Sequence, residues 1–275
     1  MKSDVLAKKL AVITGASSGI GKALAWELGQ QGFDLVLTAR SQAKLADLAN
    51  EIGTAYGISV QVLPADLATT RGAQALGEVL QKLARPIDLL VNNAGFGTYG
   101  EFTSASSDLL AQMLTVNAIA PTLLSRAVLP DMIKRRAGTI VNIASSAGLQ
   151  AVPFMAAYAA SKAYLVHLSE ALWAEARPHG VRVTTICPGP VQTPFLENMG
   201  DLAHAPSARI LGKPLPIHAV VKAVLQAMQC DRPSRIVGGR NLILAQGGRF
   251  LSRKQGVKVS ALMFAPASKP QLKAA

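Results

Sequence analysis

The sequence predicts a single-domain α/β protein, a doubly wound parallel sheet of about seven strands with helices on both faces. Three observations carry this. Short, β-branched apolar runs alternate with helix-length periodic segments along most of the chain, the βαβ pattern of a sheet buried on both faces. A glycine cluster, Gly15, Gly19 and Gly21, lies between the first strand and the first helix. Half of the 275 residues are hydrophobic and 16% are charged, enough apolar side chain for one large core.

The elements follow in order. Leu10 to Thr14 is a short apolar run ending at Gly15, as a buried parallel strand should. Ile20, Leu24 and Leu28 then fall on one helical face before Gln30-Gln31-Gly32. Leu35 to Thr38 reads as a second strand, and Ala43 to Ala55 as a helix with Leu45, Leu48 and Ile52 inward. Val60 to Leu63, Ile87 to Val91, Thr139 to Ile143 and Val181 to Cys187 supply further strands, with Ile236-Val237 as the seventh. Helices are expected between them, notably over 107–136 and 154–177. The stretch 188–216 is rich in Pro and Gly without a clear period, and a loop that long in a compact domain is commonly a lid.

Composition narrows the function classes. Cys187 and Cys230 match neither a metal site nor a disulfide framework, so a reducing cytoplasm is the expected compartment. His167, His179, His204 and His218 form no metal or triad spacing, and no metal is expected. Lys8 and Lys9 interrupt the N-terminal apolar run, which argues against a signal peptide. No run reaches the roughly 18–20 uninterrupted apolar residues of a membrane span. The net charge of +12 is uneven: residues 1–200 hold 16 Lys/Arg against 14 Asp/Glu, and residues 201–275 hold 12 against two. Such a tail suits an anionic partner, or is simply a solvated basic segment. No nucleic-acid-binding module accompanies it, and no nucleic-acid partner is expected.

The strand-to-helix loop Thr14-Gly15-Ala16-Ser17-Ser18-Gly19-Ile20-Gly21 can cradle a pyrophosphate. Glycine lets phosphate approach the backbone, and the following helix offers unpaired N–H groups. Its T-G-x-x-x-G-x-G spacing resembles the fingerprint of the short-chain dehydrogenase/reductase family, of the NADP-preferring, Tyr-x-x-x-Lys type and Rossmann-like in fold. Asn92-Asn93-Ala94-Gly95, the Ser145/Tyr158/Lys162 set and Cys187-Pro188-Gly189-Pro190-Val191-Gln192-Thr193 extend the resemblance from about residue 8 to 238. It implies a dinucleotide-binding and catalytic body over 8–238 within one domain over 1–275, a substrate lid over 190–216 and a basic extension over 239–275. Cofactor contacts are then expected from Gly15, Ser17, Ser18, Gly19, Ile20, Gly21, Arg40, Asp66, Leu67, Asn93, Ala94, Gly95, Tyr158, Lys162, Pro188, Gly189, Val191 and Thr193.

NADP(H) is expected over NAD(H). The second strand closes on Ala39-Arg40, where an acid would favour a free ribose 2′-hydroxyl and a guanidinium can grip a 2′-phosphate. Asp66 matches the family's adenine-contacting aspartate, or caps a helix beginning near Thr69. The Asn92-Asn93 amides are expected to tie neighbouring strands.

Tyr158 and Lys162 stand four residues apart, one face of a helix. A nearby ammonium favours phenolate and makes the phenol a better acid toward a carbonyl oxygen. Ser145, favoured over Ser146, can donate to that oxygen. The resemblance makes Asn117, Ser145, Tyr158 and Lys162 the catalytic set, with Asn117 bending its helix and holding a water beside the lysine. It implies a reductase of ketones or aldehydes, including 3-oxoacyl or steroid-like ones, or the reverse alcohol dehydrogenase. A regulator or scaffold that binds NADP without turnover is the other reading. Cys187 reads as a small buried hydrophobe.

Phe195, Leu196, Met199, Leu202, Ile210 and Leu211 make the lid apolar, with Phe96, Tyr99, Phe102 and Phe154 as candidate walls, so a small hydrophobic substrate is expected. Beyond Gly238, apolar residues including Leu242, Ile243, Phe250, Val257 and Leu262 interleave with Arg240, Arg249, Arg253, Lys254 and Lys258. Short basic amphipathic helices result, suited to peripheral contact with anionic lipid, to packing on the body, or to a second subunit. Residues 265–275 are expected to fray, and the family resemblance implies a homodimer or homotetramer.

Overall fold

The computed structural model describes residues 8–199, 202, 205–247 and 252–266, apart from the side chains at 209, 211 and 244–247. The strands are β1 Leu10–Thr14, β2 Asp34–Thr38, β3 Val60–Val62, β4 Leu89–Asn92, β5 Thr139–Ile143, β6 Arg182–Pro188 and β7 Ser234–Val237. The helices are α1 Gly19–Gln30, α2 Gln42–Tyr56, α3 Thr70–Gln81, α4 Ser107–Leu114, α5 Ala120–Arg135, α6 Ala156–Ala176, α7 Pro194–Glu197, α8 Pro206–Leu211, α9 Ile217–Gln229, α10 Gly239–Gly247 and α11 Arg253–Phe264. One parallel sheet of order β3-β2-β1-β4-β5-β6-β7 results. The predicted doubly wound α/β fold is present.

Alternation along the strands divides the core in two. Ala11 and Ile13 of β1, Leu35 and Leu37 of β2, and Val141 of β5 face Leu24, Leu45, Ile52 and Val224 of α1, α2 and α9. Their neighbours Val12, Val36 and Ile140 face Leu76, Leu124, Val128 and Met132 of α3 and α5. Successive side chains leave a strand on opposite sides, and each buried aliphatic contributes about 1.5–3 kcal/mol. The order reverses between β1 and β4, so a crevice opens at their carboxyl ends.

The helix predicted over 107–136 is broken. A π turn, Thr115–Ile119, separates α4 from α5, with Ala120 N–H donating to the Thr115 carbonyl. Just after it Pro121 has no N–H for the carbonyl of Asn117, four residues earlier. By length and hydropathy Ser107–Arg135 could cross a membrane, yet its Val116, Leu124, Val128 and Met132 lie in the core beneath the sheet.

The lid predicted over 190–216 is not structureless. Leu215 N–H donates to the Pro190 carbonyl at 2.7 Å and Gln192 N–H to the Leu215 carbonyl at 3.0 Å. These bonds draw its ends together, and the excursion between them carries α7 and α8. The basic extension forms α10 and α11. The expectations for His204, Arg249, Phe250 and the end of the tail past 266 lie outside the described residues.

Candidate active site

A cleft of about 450 Å³ runs across the carboxyl ends of the strands. At its centre Gly15 has φ +66, and a Cβ there would stand 2.8 Å from the Ala94 Cα. Only glycine fits so close to the chain leaving β4. Ser18, the N-cap residue of α1, makes no side-chain capping bond, and the first turn of α1 carries no acid. The helix N-terminus therefore presents free N–H groups and partial positive charge to the cleft.

Asn93 ties this loop to β4. Its Nδ2 donates to the Thr14 and Gly15 carbonyls at 2.9 and 3.2 Å, while Thr14 Oγ1 accepts from Asn93 and Ala94 N–H at 2.8 and 2.9 Å. Asn92 Nδ2 donates to Asn142 Oδ1 at 2.8 Å, and Asn142 Nδ2 to Ser169 Oγ at 2.8 Å. The strand-tying role expected for the asparagines is what they perform.

Most of the expected cofactor residues line the cleft: Gly15, Ser17, Ser18, Gly19 and Ile20 of the glycine loop, Arg40, Asp66-Leu67, Asn93 to Gly95, Tyr158, Lys162, Pro188-Gly189 and Thr193. Two do not. Gly21 sits behind the loop, where a Cβ would come within 2.6 Å of Asn93 Nδ2, so it makes room for the loop rather than for a ligand. Val191 lines a second cavity, held there by its bridge to Leu215. Asp66 Oδ1 accepts from Ala68 N–H at 3.1 Å, and Thr69, not Asp66, caps α3 through its bond with Gly72 N–H.

Tyr158 and Lys162 lie one turn apart on α6, 6% and 4% exposed. Lys162 Nζ donates to the Ile143 carbonyl at 3.0 Å and stands 6.0 Å from the Tyr158 ring centroid. Burial pushes the Tyr158 phenol up to about 12, against a hydrogen bond with Ser145 that favours its ionised form. Burial also pushes the Lys162 amine down to about 8. Desolvation favours the neutral form of both groups, and what opposes it at the phenol is the Ser145 bond, not the lysine charge expected from the sequence. A phenol of high pKa is protonated at neutral pH, the state a proton donor needs. Cys187 is fully buried and its thiol is pushed up to about 12 by that burial, as suits a packing residue.

Asn117 does not line the cleft, and its side chain is committed elsewhere. Oδ1 accepts from Phe96 N–H at 3.2 Å, while Nδ2 donates to the Phe96 carbonyl at 2.9 Å and to Ser161 Oγ at 3.0 Å. The carboxamide fixes the loop after β4 against α6.

Beside the cleft lies a smaller, mainly apolar cavity of about 100 Å³, and Ser145, Tyr158, Gly189 and Phe195 belong to both. Of the lid residues, Leu196, Met199 and Leu202 line it. Ile210 is exposed, and the Leu211 side chain lies outside the described residues. Among the aromatic walls, Phe96 lines the cleft, but Phe102 is 62% exposed and Phe154 packs in the neighbouring apolar cluster without reaching either cavity. The sequence reading missed Lys44, one turn into α2 beside Arg40, and Asn241, Met263 and Phe264 of the C-terminal segment. The Arg40–Lys44 spacing across the Ser41 cap was a usable signal; for the other three, the contacts span too much chain for a local one.

Comparison with known proteins agrees with this geometry. The sequence matches the short chain dehydrogenase family over residues 9–202. The chain belongs to that family of nicotinamide-dependent oxidoreductases. It is 39% identical over 186 residues to Hydroxysteroid dehydrogenase-like protein 1 of Gallus gallus, a match covering 66% of this chain and 56% of that protein's length. It is 35% identical to Ketoacyl reductase HetN of Nostoc sp., covering 80% of this chain and 76% of the relative. Among solved structures, a short-chain dehydrogenase from Sphingobium yanoikuyae in complex with NADPH superposes with TM-score 0.76 at 30% identity, over 97% of this chain and 98% of that one. The bulky-bulky ketone specific alcohol dehydrogenase of Comamonas testosteroni does so with TM-score 0.73 at 28% identity, over 96% and 98%.

Proposed function

We propose that this protein is an NADPH-dependent reductase of hydrophobic ketones and aldehydes, acting on 3-oxoacyl or steroid-like carbonyls and reversible as an alcohol dehydrogenase. One observation carries the reading: Tyr158 stands where the long cleft meets the apolar cavity, so a single hydroxyl serves both. The names of the relatives, a ketoacyl reductase and a bulky-ketone dehydrogenase, support the substrate class.

NADPH fits the residues present. The glycine loop and the α1 N-terminus would hold the pyrophosphate, Arg40 and Lys44 the 2′-phosphate, and Asp66 the adenine edge. Gly189 and Thr193, which line the cleft near Tyr158 and Lys162, would hold the nicotinamide end. Bound NADPH would supply a hydride to the carbonyl carbon. Tyr158 gives its phenolic proton to the carbonyl oxygen, Ser145 donates a hydrogen bond to the same oxygen, and Lys162 draws the proton balance toward transfer when charged. Joint placement of Ser145, Tyr158 and Lys162 favours turnover over a purely regulatory NADP-binding role, which needs only the glycine loop and Arg40. A carbonyl panel read by NADPH oxidation tests the proposal: turnover of hydrophobic ketones is expected, and no turnover across the panel contradicts it.

We further place the protein in the cytoplasm, with peripheral contact to anionic membrane. The exposed Leu242, Ile243, Val257, Val259 and Leu262 lie among Arg240, Arg253, Lys254 and Lys258, a pattern that supports lipid contact. Sedimentation with anionic vesicles should pull the protein down; equal recovery with neutral vesicles counts against it.

A further inference from the structure

The C-terminal helix has two unlike faces. Val257, Val259 and Leu262 point outward, Leu262 being 75% exposed, while Ser260 and Phe264, one turn apart, are buried. A complete capping box of Ser252 and Gln255 starts the helix, fixing the phase in which these faces are presented. Its far end is clasped: Tyr99, in the loop after β4, donates its hydroxyl to the Phe264 carbonyl at 3.0 Å across 165 residues of chain. Phe264 is only 9% exposed and shares one apolar cluster with Met155, Tyr158 and Met199, against which Met263 also packs. Both Met263 and Phe264 line the 100 Å³ cavity that reaches Ser145 and Tyr158.

From this geometry we infer that α11 is the end wall of the substrate pocket, and that Met263 and Phe264 are specificity-determining residues that limit the bulk of the ketone reaching Tyr158. The inference rests on the reductase reading above and names the segment that tunes it. An apolar pocket discriminates by roughly 10–200-fold for each methylene gained or refused. Removing the Phe264 ring therefore admits bulkier ketones, and enlarging residue 263 refuses them. Neither residue carries a charged group or a side-chain nitrogen or oxygen, and neither lines the dinucleotide cleft, so NADPH affinity should not move with either change.

The test uses the full chain and three variants: Phe264→Ala, Met263→Phe and, on the outward face, Leu262→Ser. Kcat/KM is measured with NADPH for a series of aryl ketones of increasing bulk, alongside thermal melting and NADPH affinity. Phe264→Ala should raise the bulky-to-small ratio by about tenfold or more, Met263→Phe should lower it, and Leu262→Ser should leave it where it stands. Ratios within about twofold of the parent in both inward variants, with NADPH affinity retained, overturn the inference. If Phe264→Ala does not fold, the Met263→Phe result alone decides. Should no ketone be turned over by any form, the reductase reading fails first. The pocket wall is then read by anilinonaphthalene sulfonate, whose affinity should rise in Phe264→Ala and fall in Met263→Phe, and equal affinity in all forms overturns the inference.

Discussion

Arg40 and Lys44 flank the Ser41 cap at one end of the cleft, where no acid follows β2. Charge-assisted bonds to a phosphate are worth about 1.5–3 kcal/mol, so Arg40→Asp should weaken NADPH binding by roughly 10–100-fold and swing preference toward NADH. Unchanged cofactor selectivity in a side-by-side titration would remove the assignment. At the other end, Lys162 has its pKa lowered to about 8, so its ammonium is present below that pH and lost above it. The reduction rate should hold level through neutrality and fall as pH rises through about 8; a profile flat well beyond that point contradicts a charged lysine in the proton path. The positions of Tyr158, Lys162 and Ser145 were legible through the family motif they resemble, and that of Arg40 through its place at the end of β2. The direction of the tyrosine shift was not, since burial of the pair depends on what packs over α6.

Elements were legible where period and length agreed, as in β1, β5 and α2. The π turn at Thr115–Ile119 was half legible: the resemblance implied a bend at Asn117, but the bond from Asn117 to Phe96 across the site shows only in the fold. The strand-tying role of Asn92 was legible but its partners were not, because Asn92, Asn142 and Ser169 meet only when β4, β5 and α6 assemble. Asn142 is fully buried and serves both partners, and removing one member of a buried pair costs about 1–3 kcal/mol for each group left unsatisfied. Asn142→Ala should accordingly lower the unfolding free energy by about 1–3 kcal/mol, read as a lower denaturant midpoint at unchanged slope, with secondary structure intact. A midpoint equal to the parent's would show that the link carries no load.

The whole molecule has one body of core and a C-terminal quarter whose charge suggested a partner outside the chain. Composition alone could not place Met263 and Phe264, because their partners Tyr99, Met155 and Tyr158 are far away in sequence. Another surface is apolar and exposed among the described residues. Leu109, Leu114, Ile119 and Tyr164 are exposed on α4, the π turn and α6, and Thr122 Oγ1 lies 3.0 Å from the Tyr164 hydroxyl, joining α5 to α6 there. Exposed apolar side chains on neighbouring helices commonly mark an interface, and we propose that the homodimer, or the dimer unit of a homotetramer, forms through this helix face. Light scattering on a sizing column should give a dimer or tetramer mass, and Ile119→Glu with Tyr164→Glu should halve it. A monomeric parent, or a double variant that keeps the parent's mass, excludes this face.

The central claim is proton transfer from Tyr158 to a carbonyl oxygen, and Tyr158→Phe tests it most directly, with ketone-dependent NADPH oxidation and NADPH affinity measured on the same sample. Loss of the hydroxyl should cut the rate by roughly 10²–10⁴-fold and leave cofactor affinity close to the parent's. A variant that binds NADPH and still reduces ketones at an ordinary rate would contradict the account.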